Sequence, residues 1–419
     1  MRPIALVAFA ALLPACGGGI PSNDTTPPDM STPPDLTVLP DMTQAFPAPH
    51  PAPPQVANQG GPTVATPKIV SVFFSNDDPT FTAKLQDFAM KVGATNYWKT
   101  ATSEYGVGAA VALPPVQLTE AAPATIDDGT IQTWLAGKLT GKDPAWPAID
   151  DQTIYVLHYP AGTTITLPGG RGNAISCQDF GGYHSDAPLG QAPNLPHAIY
   201  AVIPRCDNFG GITGVDAITS TESHELVEAV TDPFPMSNPA YAQVDDDHIY
   251  WELALGGGEV GDMCAQDPTS FTTFSELPYM VQRTWSNAAA LAGHDPCVPS
   301  PNQPYFNAAP ELNDSLSLFG GTVPGVDVPV GMTKTIALDL FSDGDTGGEW
   351  SVKVEDLASL RGQTSTFNFQ LDKSSGRNGD KINLSITTLK ANTRGRGTFV
   401  VVSKLGQHTT YWFGLIGEQ

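Results

Sequence analysis

Ser220-Thr221-Glu222-Ser223-His224-Glu225-Leu226-Val227-Glu228-Ala229-Val230-Thr231-Asp232-Pro233 is the stretch on which the reading of this 419-residue chain turns. Residues 215–231 read as a helix, which Asp232-Pro233 stops because proline cannot continue the hydrogen-bond ladder. Positions i and i+4 share a helix face, so His224 and Glu228 point the same way, one turn apart. Glu225 follows His224, about 100° further around. Leu226, Val227, Ala229 and Val230 make the helix largely buried. Carboxylates and a histidine on or near its inner side are costly there without a cation.

Working outward, strand and helix patterns alternate. Residues 69–74, 154–159 and 198–203 read as buried strands, and 279–285 as another. Residues 79–93 and 126–139 read as helices. The alternation predicts a mixed α/β domain over 68–300. Residues 299–310, with four prolines, read as a linker. Beyond it, short β-type runs at 334–340, 350–354, 366–371, 382–388, 397–402 and 409–415 are separated by Gly, Asp and Asn turns. That texture predicts a C-terminal antiparallel β-sandwich over 301–419. Charge divides unevenly: residues 69–305 hold 27 acids and 8 bases, residues 306–419 hold 12 and 10. The acid load belongs to the α/β part.

The 215–231 helix has the layout of the HExxH zincins, with Glu228 in place of the second His. In that layout the i and i+4 residues grip zinc, and the adjacent glutamate is the base towards water. His224 and Glu228 are therefore the expected ligands and Glu225 the expected base. Zinc is the expected ion. The extra carboxylate makes the site harder and opens it to Mn, Ca or Fe. A third ligand is required. Glu259 ranks first, then Asp262, both in Gly256-Gly257-Gly258-Glu259-Val260-Gly261-Asp262-Met263-Cys264; His184 ranks third. An oxyanion helper is also needed, and Tyr183, His184 and Arg283 are the choices.

Weaker features read blandly. Asp245-Asp246-Asp247 lacks the ligand spacing of a calcium loop and reads as a solvated turn. His158 reads as a core histidine, and His197, His248 and His294 as loop histidines. Ser223 does not face His224, because helix neighbours diverge. Nucleophile-elbow, P-loop and dinucleotide motifs are absent from the sequence.

The N-terminus reads as an address. Arg2, an apolar run over 4–13 and Leu13-Pro14-Ala15-Cys16 resemble a bacterial lipoprotein signal over 1–16, with Cys16 as the lipidation site. Residues 17–67 hold 13 prolines, four Asp and no Lys, Arg or Glu, and read as a disordered tether. With Cys16 lipidated, Cys177, Cys206, Cys264 and Cys297 remain. An even set in an exported chain favours disulfides, and three pairings are possible. Cys177–Cys206 and Cys264–Cys297 are preferred because each closes a local loop. A four-thiolate zinc site is the rival, without any CxxC to support it.

One ordered series runs through the α/β part: Ser103-Glu104-Tyr105-Gly106-Val107-Gly108, Gly181-Gly182-Tyr183-His184, Gly214-Val215-Asp216, the 223–229 helix, Trp251, Glu259-Val260-Gly261-Asp262-Met263-Cys264, and Val281-Gln282-Arg283-Thr284-Trp285-Ser286-Asn287 with Cys297. It resembles the EXORDIUM/phosphate-induced protein family of plants and its bacterial relatives, over about 69–298. The resemblance implies an exported α/β domain with a zincin-like HExxE helix. By matching positions it carries over His224, Glu225 and Glu228, the acidic pair Glu259 and Asp262, and His184. The chain departs from the family before His184: Phe180 stands near the family's cysteine, and Cys177 is further upstream. The family is associated with growth and cell-wall responses.

The net charge of −23, from 43 Asp+Glu against 20 Lys+Arg, argues against a nucleic-acid partner. Any membrane association would run through the lipid anchor. Two functions are expected from these residues. One is an exported zinc hydrolase of peptidase type, acting on a peptide or cell-envelope polymer, lipid-anchored at the outer membrane or cell surface, or secreted. The other is a non-catalytic cell-surface protein, with a structural metal or none, that binds glycan or protein through Trp350, Tyr411 or Trp412.

Overall fold

The computed structural model describes residues 45–141, 143–168, 173–190 and 196–418. The signal segment 1–16 with Cys16, and the tether over 17–44, lie outside the described residues.

Four strands build the first sheet: β1 (Lys68–Phe73), β2 (Thr153–Tyr159), β3 (Tyr183–Pro188) and β4 (His197–Pro204). β1, β2 and β4 run parallel in that order, and β3 is added antiparallel to β4 at one edge. Two short strands, Val111–Ala112 and Val116–Gln117, pair in parallel with β1 at the other edge. β1, β2 and β4 are Val- and Ile-rich and buried on both sides, as parallel strands covered by helices must be. Alternation sorts their side chains. Ile69, Phe73, Ile154, Val156, Ile199 and Ile203 face one core, and Val70, Val72, Tyr155, Leu157, Tyr200 and Val202 face the other.

Helix α1 (Pro79–Val92) covers the first face with Leu85, Phe88, Ala89 and Val92. It starts cleanly because Asp78 accepts the Thr80 N–H and Pro79 needs no partner. Helix α2 (Asp128–Thr140) covers the second face with Ile131, Leu135 and Leu139. Helix α3 (Gly214–Thr231) lies with α1 on the first face, and Leu226, Val227 and Val230 enter the core. Gly214 opens it at φ 63°, a left-handed conformation that favours glycine. Helices α4 (Tyr250–Leu255) and α5 (Asp262–Ala265), with strand β5 (Leu277–Gln282), complete the domain. β5 lies against α3: Thr219 Oγ1 donates to the Met280 carbonyl, and the Gln282 N–H donates to Ser223 Oγ. The chain is thus a mixed α/β domain in which one edge strand and one buried helix share a face.

Residues 306–417 form two further sheets. One orders β6 (Phe306–Pro310), β9 (Thr333–Ser342), β12 (Lys381–Thr388) and β11 (Phe367–Leu371). The other orders β7 (Asp314–Leu318), β8 (Gly321–Asp327), β14 (His408–Gly417), β13 (Arg396–Leu405) and β10 (Trp350–Asp356), with Ser375–Gly376 at its edge. Their inner faces meet through Phe306 and Trp350, Phe341 and Trp412, and Phe369 and Phe399. Along β12, Ile382, Leu384 and Ile386 alternate inward. The pairing is not wholly antiparallel: β8 meets the C-terminal β14 in parallel at Val326↔Ile416. The expected linker over 299–310 is also shorter, because Phe306–Pro310 is a fully buried strand against β9. Pro310 is its terminal residue, where the missing N–H is tolerated.

The tether expectation fails over 45–67. This segment is an ordered strap bound to both parts of the chain. Asn378 Oδ1 accepts from the Ala48 and Ser342 N–H groups, and Asn378 Nδ2 donates to the Ala45 carbonyl. The His50 ring stacks on Phe341 at 3.7 Å. Val56 pairs with Val244, and the Val64 N–H donates to the Val230 carbonyl at the end of α3. Val56 and Val64 are buried. Proline enrichment lowers the entropy lost when an extended segment docks, so composition alone did not decide against order.

Replacing Asn378 by Ala leaves two backbone donors and one carbonyl without their partner. It should cost about 2–4 kcal/mol in denaturant unfolding and open the 45–67 strap to proteolysis. Unchanged stability with a protected strap would show that the strap is held elsewhere.

Candidate functional site

Helix α3 sets His224 and Glu228 one turn apart with the spacing realised: His224 Nε2 is 3.1 Å from Glu228 Oε2. Glu228 Oε2 is also 3.5 Å from Nδ1 of His184, on edge strand β3. The same His184 nitrogen is 3.7 Å from Glu225 Oε2 and 3.8 Å from Glu259 Oε2. Asp262 Oδ1 stands 3.9 Å from His224 Nε2. Asp232, the residue that stops α3, joins His184 and Glu259. Two imidazoles and five carboxylates therefore converge where α3, β3 and the 256–262 loop meet. Their side chains are at most 12% exposed, the maximum being Glu259.

The outer nitrogens of both imidazoles are committed. His224 Nδ1–H donates to Gln282 Oε1 (3.1 Å), and Gln282 is itself oriented by donating Nε2–H to the Gly261 carbonyl (2.7 Å). His184 Nε2–H donates to the Asp232 carbonyl (3.1 Å). These bonds turn His224 Nε2 and His184 Nδ1 towards the carboxylates, so that loss of their protons would present both as metal ligands. Glu228 Oε1 accepts the Asp262 N–H at 3.1 Å. Asp232 Oδ1 accepts the Ala240 N–H at 2.7 Å, while its buried Oδ2 has no hydrogen-bond partner.

Glycines let the loop approach. A Cβ on Gly261 would lie 2.7 Å from both Glu228 Oε1 and His224 Nδ1, and one on Gly182 would lie 3.1 Å from Glu225 Oε1. The Cys264–Cys297 disulfide fixes the loop just past Asp262. The other bond, Cys177–Cys206, ties the segment before β3 to the end of β4. Both disulfides follow the preferred pairing.

Three sets of ligand atoms are close enough to hold an ion: His224, Glu228 and Asp262; His184, Glu225 and Glu228; and His184, Asp232 and Glu259. The donor set is imidazole and carboxylate, which suits borderline to hard divalent cations. The Asp232 oxygen without a hydrogen-bond partner and the inward ring nitrogens fit such a group.

Without an ion the cluster is electrostatically frustrated. Burial opposes the charge on His224, but Glu228 beside it lifts the imidazole to about 10. Burial likewise opposes charge on His184, and Glu259, Glu225 and Glu228 raise it well above its ordinary value. Glu228, despite burial, is held far below the carboxylate range by His224 and His184. Burial and the neighbouring Glu228 push Asp262 up to about 8. Burial also raises Glu225, Asp232 and Glu259.

The geometry reorders the expected third ligands. Asp262, ranked second, faces His224 and Glu228; Glu259, ranked first, groups instead with His184 and Asp232. The reason is local. Asp262 opens α5, and its N–H is held by Glu228, which brings its side chain to the α3 face. His184 lies inside the cluster. Of the three oxyanion helpers, Tyr183 and Arg283 are committed elsewhere. The Tyr183 hydroxyl donates to Asp128 across the sheet, and Arg283 binds Asp295, Asp267 and the Cys297 carbonyl. Ser223 Oγ donates to the Ser220 carbonyl and accepts from Gln282. The sequence alone assigns neither Asp232 nor Gln282 to the site. Asp232 is eight residues after His224 and continues the 224–228 face, a periodic signal obscured by its reading as a helix stop.

The remaining residues behave as ordinary structure. His158 is buried beside Phe73 and Glu222, and burial lowers it to about 3. Asp245 accepts from the Gln55 and His248 N–H groups. His197, expected in a loop, instead opens strand β4 and pairs with Asp186, and His294 pairs with Asp343. Trp350 and Trp412 are 1% and 4% exposed, so neither offers the open ring face of a glycan platform.

No family model and no curated protein matches the chain. Solved structures similar to part of it include the S-layer protein SbsC domains 4 and 5, at 17% identity over 26% of this chain and 53% of that one, with a TM-score of 0.16. Titin M4 is 13% identical over 28% of this chain and 95% of that one, with a TM-score of 0.17. The chain spans about half the length of the SbsC fragment. At these scores neither likeness bears on what the chain does.

The shifts predict a pH signature for the metal-stripped chain. Carboxyls raised in the fold, Asp262 to about 8 among them, stabilise it while protonated, and that stability is lost as pH rises through their folded values. His224 adds stability below its ordinary value that is lost as pH rises through about 10. Glu228 works the other way, but only in strong acid. The melting temperature in chelator should therefore fall from about pH 5 to pH 9. Saturating divalent cation should flatten the fall, and a flat profile in chelator would contradict the cluster's electrostatics.

Proposed function

We propose that this chain is an exported metal-dependent hydrolase of zinc-peptidase type, with His224, Glu228 and Asp262 as the ion's protein ligands and Glu225 as the base. One observation carries the reading: His224, Glu228 and Asp262 offer convergent ligand atoms beside Glu225, which shares a helix with the first two, and each imidazole turns one ring nitrogen inward. The pairing of a mixed sheet, an antiparallel edge strand and a buried HExxE helix supports a zincin-like arrangement. It also accords with the EXORDIUM-like series of residues. The two disulfides fit an oxidising compartment outside the cytoplasm. Lipidation at Cys16 and anchoring at the cell envelope belong to the same reading.

Zinc, when bound, supplies Lewis acidity that brings a water's pKa to about 7. The chain's own residues do the rest. Glu225 takes the proton of the attacking water and returns it to the leaving group. Gln282 holds the His224 ring so that Nε2 faces inward. The proposed substrate is a peptide or a cell-envelope polymer.

A second reading, a non-catalytic surface protein with a structural metal, is favoured by the depth of the cluster. Glu259, its most open side chain, is only 12% exposed. Closed coordination marks structural sites and an open position marks catalytic ones.

Metal content and hydrolysis of a peptide and envelope-polymer panel separate the two. In the full-length chain His224→Ala should lose the ion. Glu225→Gln should keep it while turnover falls by about 10²- to 10⁴-fold. Metal without turnover in the parent would favour the structural reading, and a parent that takes up no zinc would sink both.

A further inference from the structure

We propose that the cluster holds a second divalent cation, on His184, Asp232 and Glu259, beside the ion on His224, Glu228 and Asp262. The inference rests on the site assigned above and deepens it. The two triads share no residue, and the ligand atoms within each lie within 4.8 Å of one another. An ion with bonds of about 2.0–2.2 Å would draw such donors closer, to about 3.5 Å from one another. Among the described residues no such set contains both imidazoles, so one ion does not gather them. Glu228 stands between: its Oε2 is 3.1 Å from His224 Nε2 and 3.5 Å from His184 Nδ1. That is the position of a carboxylate bridging two ions, which in two-metal hydrolytic sites lie about 3.5–4 Å apart.

Charge points the same way. Five carboxylates are buried together, and the ion pairs within the cluster run only to His184 and His224. One divalent ion leaves most of that charge uncompensated, whereas two bring the cluster near neutrality.

Asp232 adds an independent observation. It is fully buried, its Oδ1 is satisfied by Ala240, its Oδ2 has no hydrogen-bond partner among the described residues, and one of its oxygens lies within 4.8 Å of ligand atoms of His184 and Glu259. A buried carboxylate oxygen left open calls for a proton or a ligand. Asp232 also turns His184 into place, because its carbonyl accepts Nε2–H and leaves Nδ1 inward. A cation there would supply the positive charge opposite a developing oxyanion, a role that Tyr183 and Arg283 are too committed to fill.

The donor set suits zinc or manganese, and both serve as probes. The full-length chain, stripped and reloaded with either ion, should bind about two ions per chain. Loaded with Mn²⁺, it should give the electron paramagnetic resonance spectrum of an exchange-coupled pair. Asp232→Asn keeps the Oδ1 acceptor for Ala240 and should bind about one ion, with an uncoupled spectrum. Glu259→Gln should do the same. About one ion in the parent, uncoupled, lost in His224→Ala and kept in Asp232→Asn, would overturn the second site and leave the first standing. No ion in the parent would remove both. Because stoichiometry and coupling are read on the parent, a variant that fails to fold does not shield the proposal.

Discussion

The molecule is organised around a buried excess of negative charge. Glu225, Glu228, Asp232, Glu259 and Asp262 are drawn to one place from a helix, its stop and a glycine loop, with only His184 and His224 to answer them. Moving one carboxylate from water to such a site costs several kcal/mol, and repulsion among five adds to it. No part of the domain would tolerate that load by chance. The surrounding elements are fitted to it: Gly182 and Gly261 remove side chains where the carboxylates sit, and Gln282 and the Asp232 carbonyl fix the imidazoles. The Cys264–Cys297 bond holds the loop that delivers Glu259 and Asp262. Protonation and cation binding are the two ways to relieve the charge. The raised carboxyls show the first, and the inward ring nitrogens of both histidines prepare the second.

Much of this was legible because it is local. Buried strands and helices announce themselves by periodicity, and the core strands and α1 and α3 fall within a residue or two of their expected bounds. His224, Glu225 and Glu228 follow from helix geometry alone. The choice between Glu259 and Asp262 does not, because it depends on where the glycine-rich chain turns. That turn is set by a backbone N–H bonding to Glu228, 34 residues earlier. Gln282 carries no local signal either; its part comes from the packing of β5 on α3.

The strap over 45–67 shows the same limit from the other side. Its composition matches a flexible tether, yet Ala48 bonds to a residue 330 positions away and Val56 to one 231 positions away. An extended, proline-rich segment loses little further freedom on docking, so a few buried side chains and satisfied backbone groups hold it. The first three sandwich strands were missed for a related reason. Phe306–Pro310, Asp314–Leu318 and Gly321–Asp327 are short or interrupted by Pro and Gly, and gain their order from β9 and β14.

The place of the sandwich follows from what it touches. Two of its buried aromatic rings face α4: Trp251 of that helix meets the Phe413 ring at 4.9 Å and Trp412 at 5.8 Å. Arg361 Nη2 donates to the carbonyls of Leu253 and Ala254, the last turn of α4. That turn ends at Gly256 in a left-handed conformation, and the next six residues carry the chain to Asp262. Glu252 of α4 packs against Gly258 in the same loop and accepts the Val244 N–H beside the strap. The sandwich therefore grips the helix from which the site loop departs, and the strap ties β9, Val244 and the end of α3 together. A loop that must present two carboxylates to two imidazoles within a few tenths of an ångström gains from such bracing, because each fixed backbone group removes a way for the charges to separate.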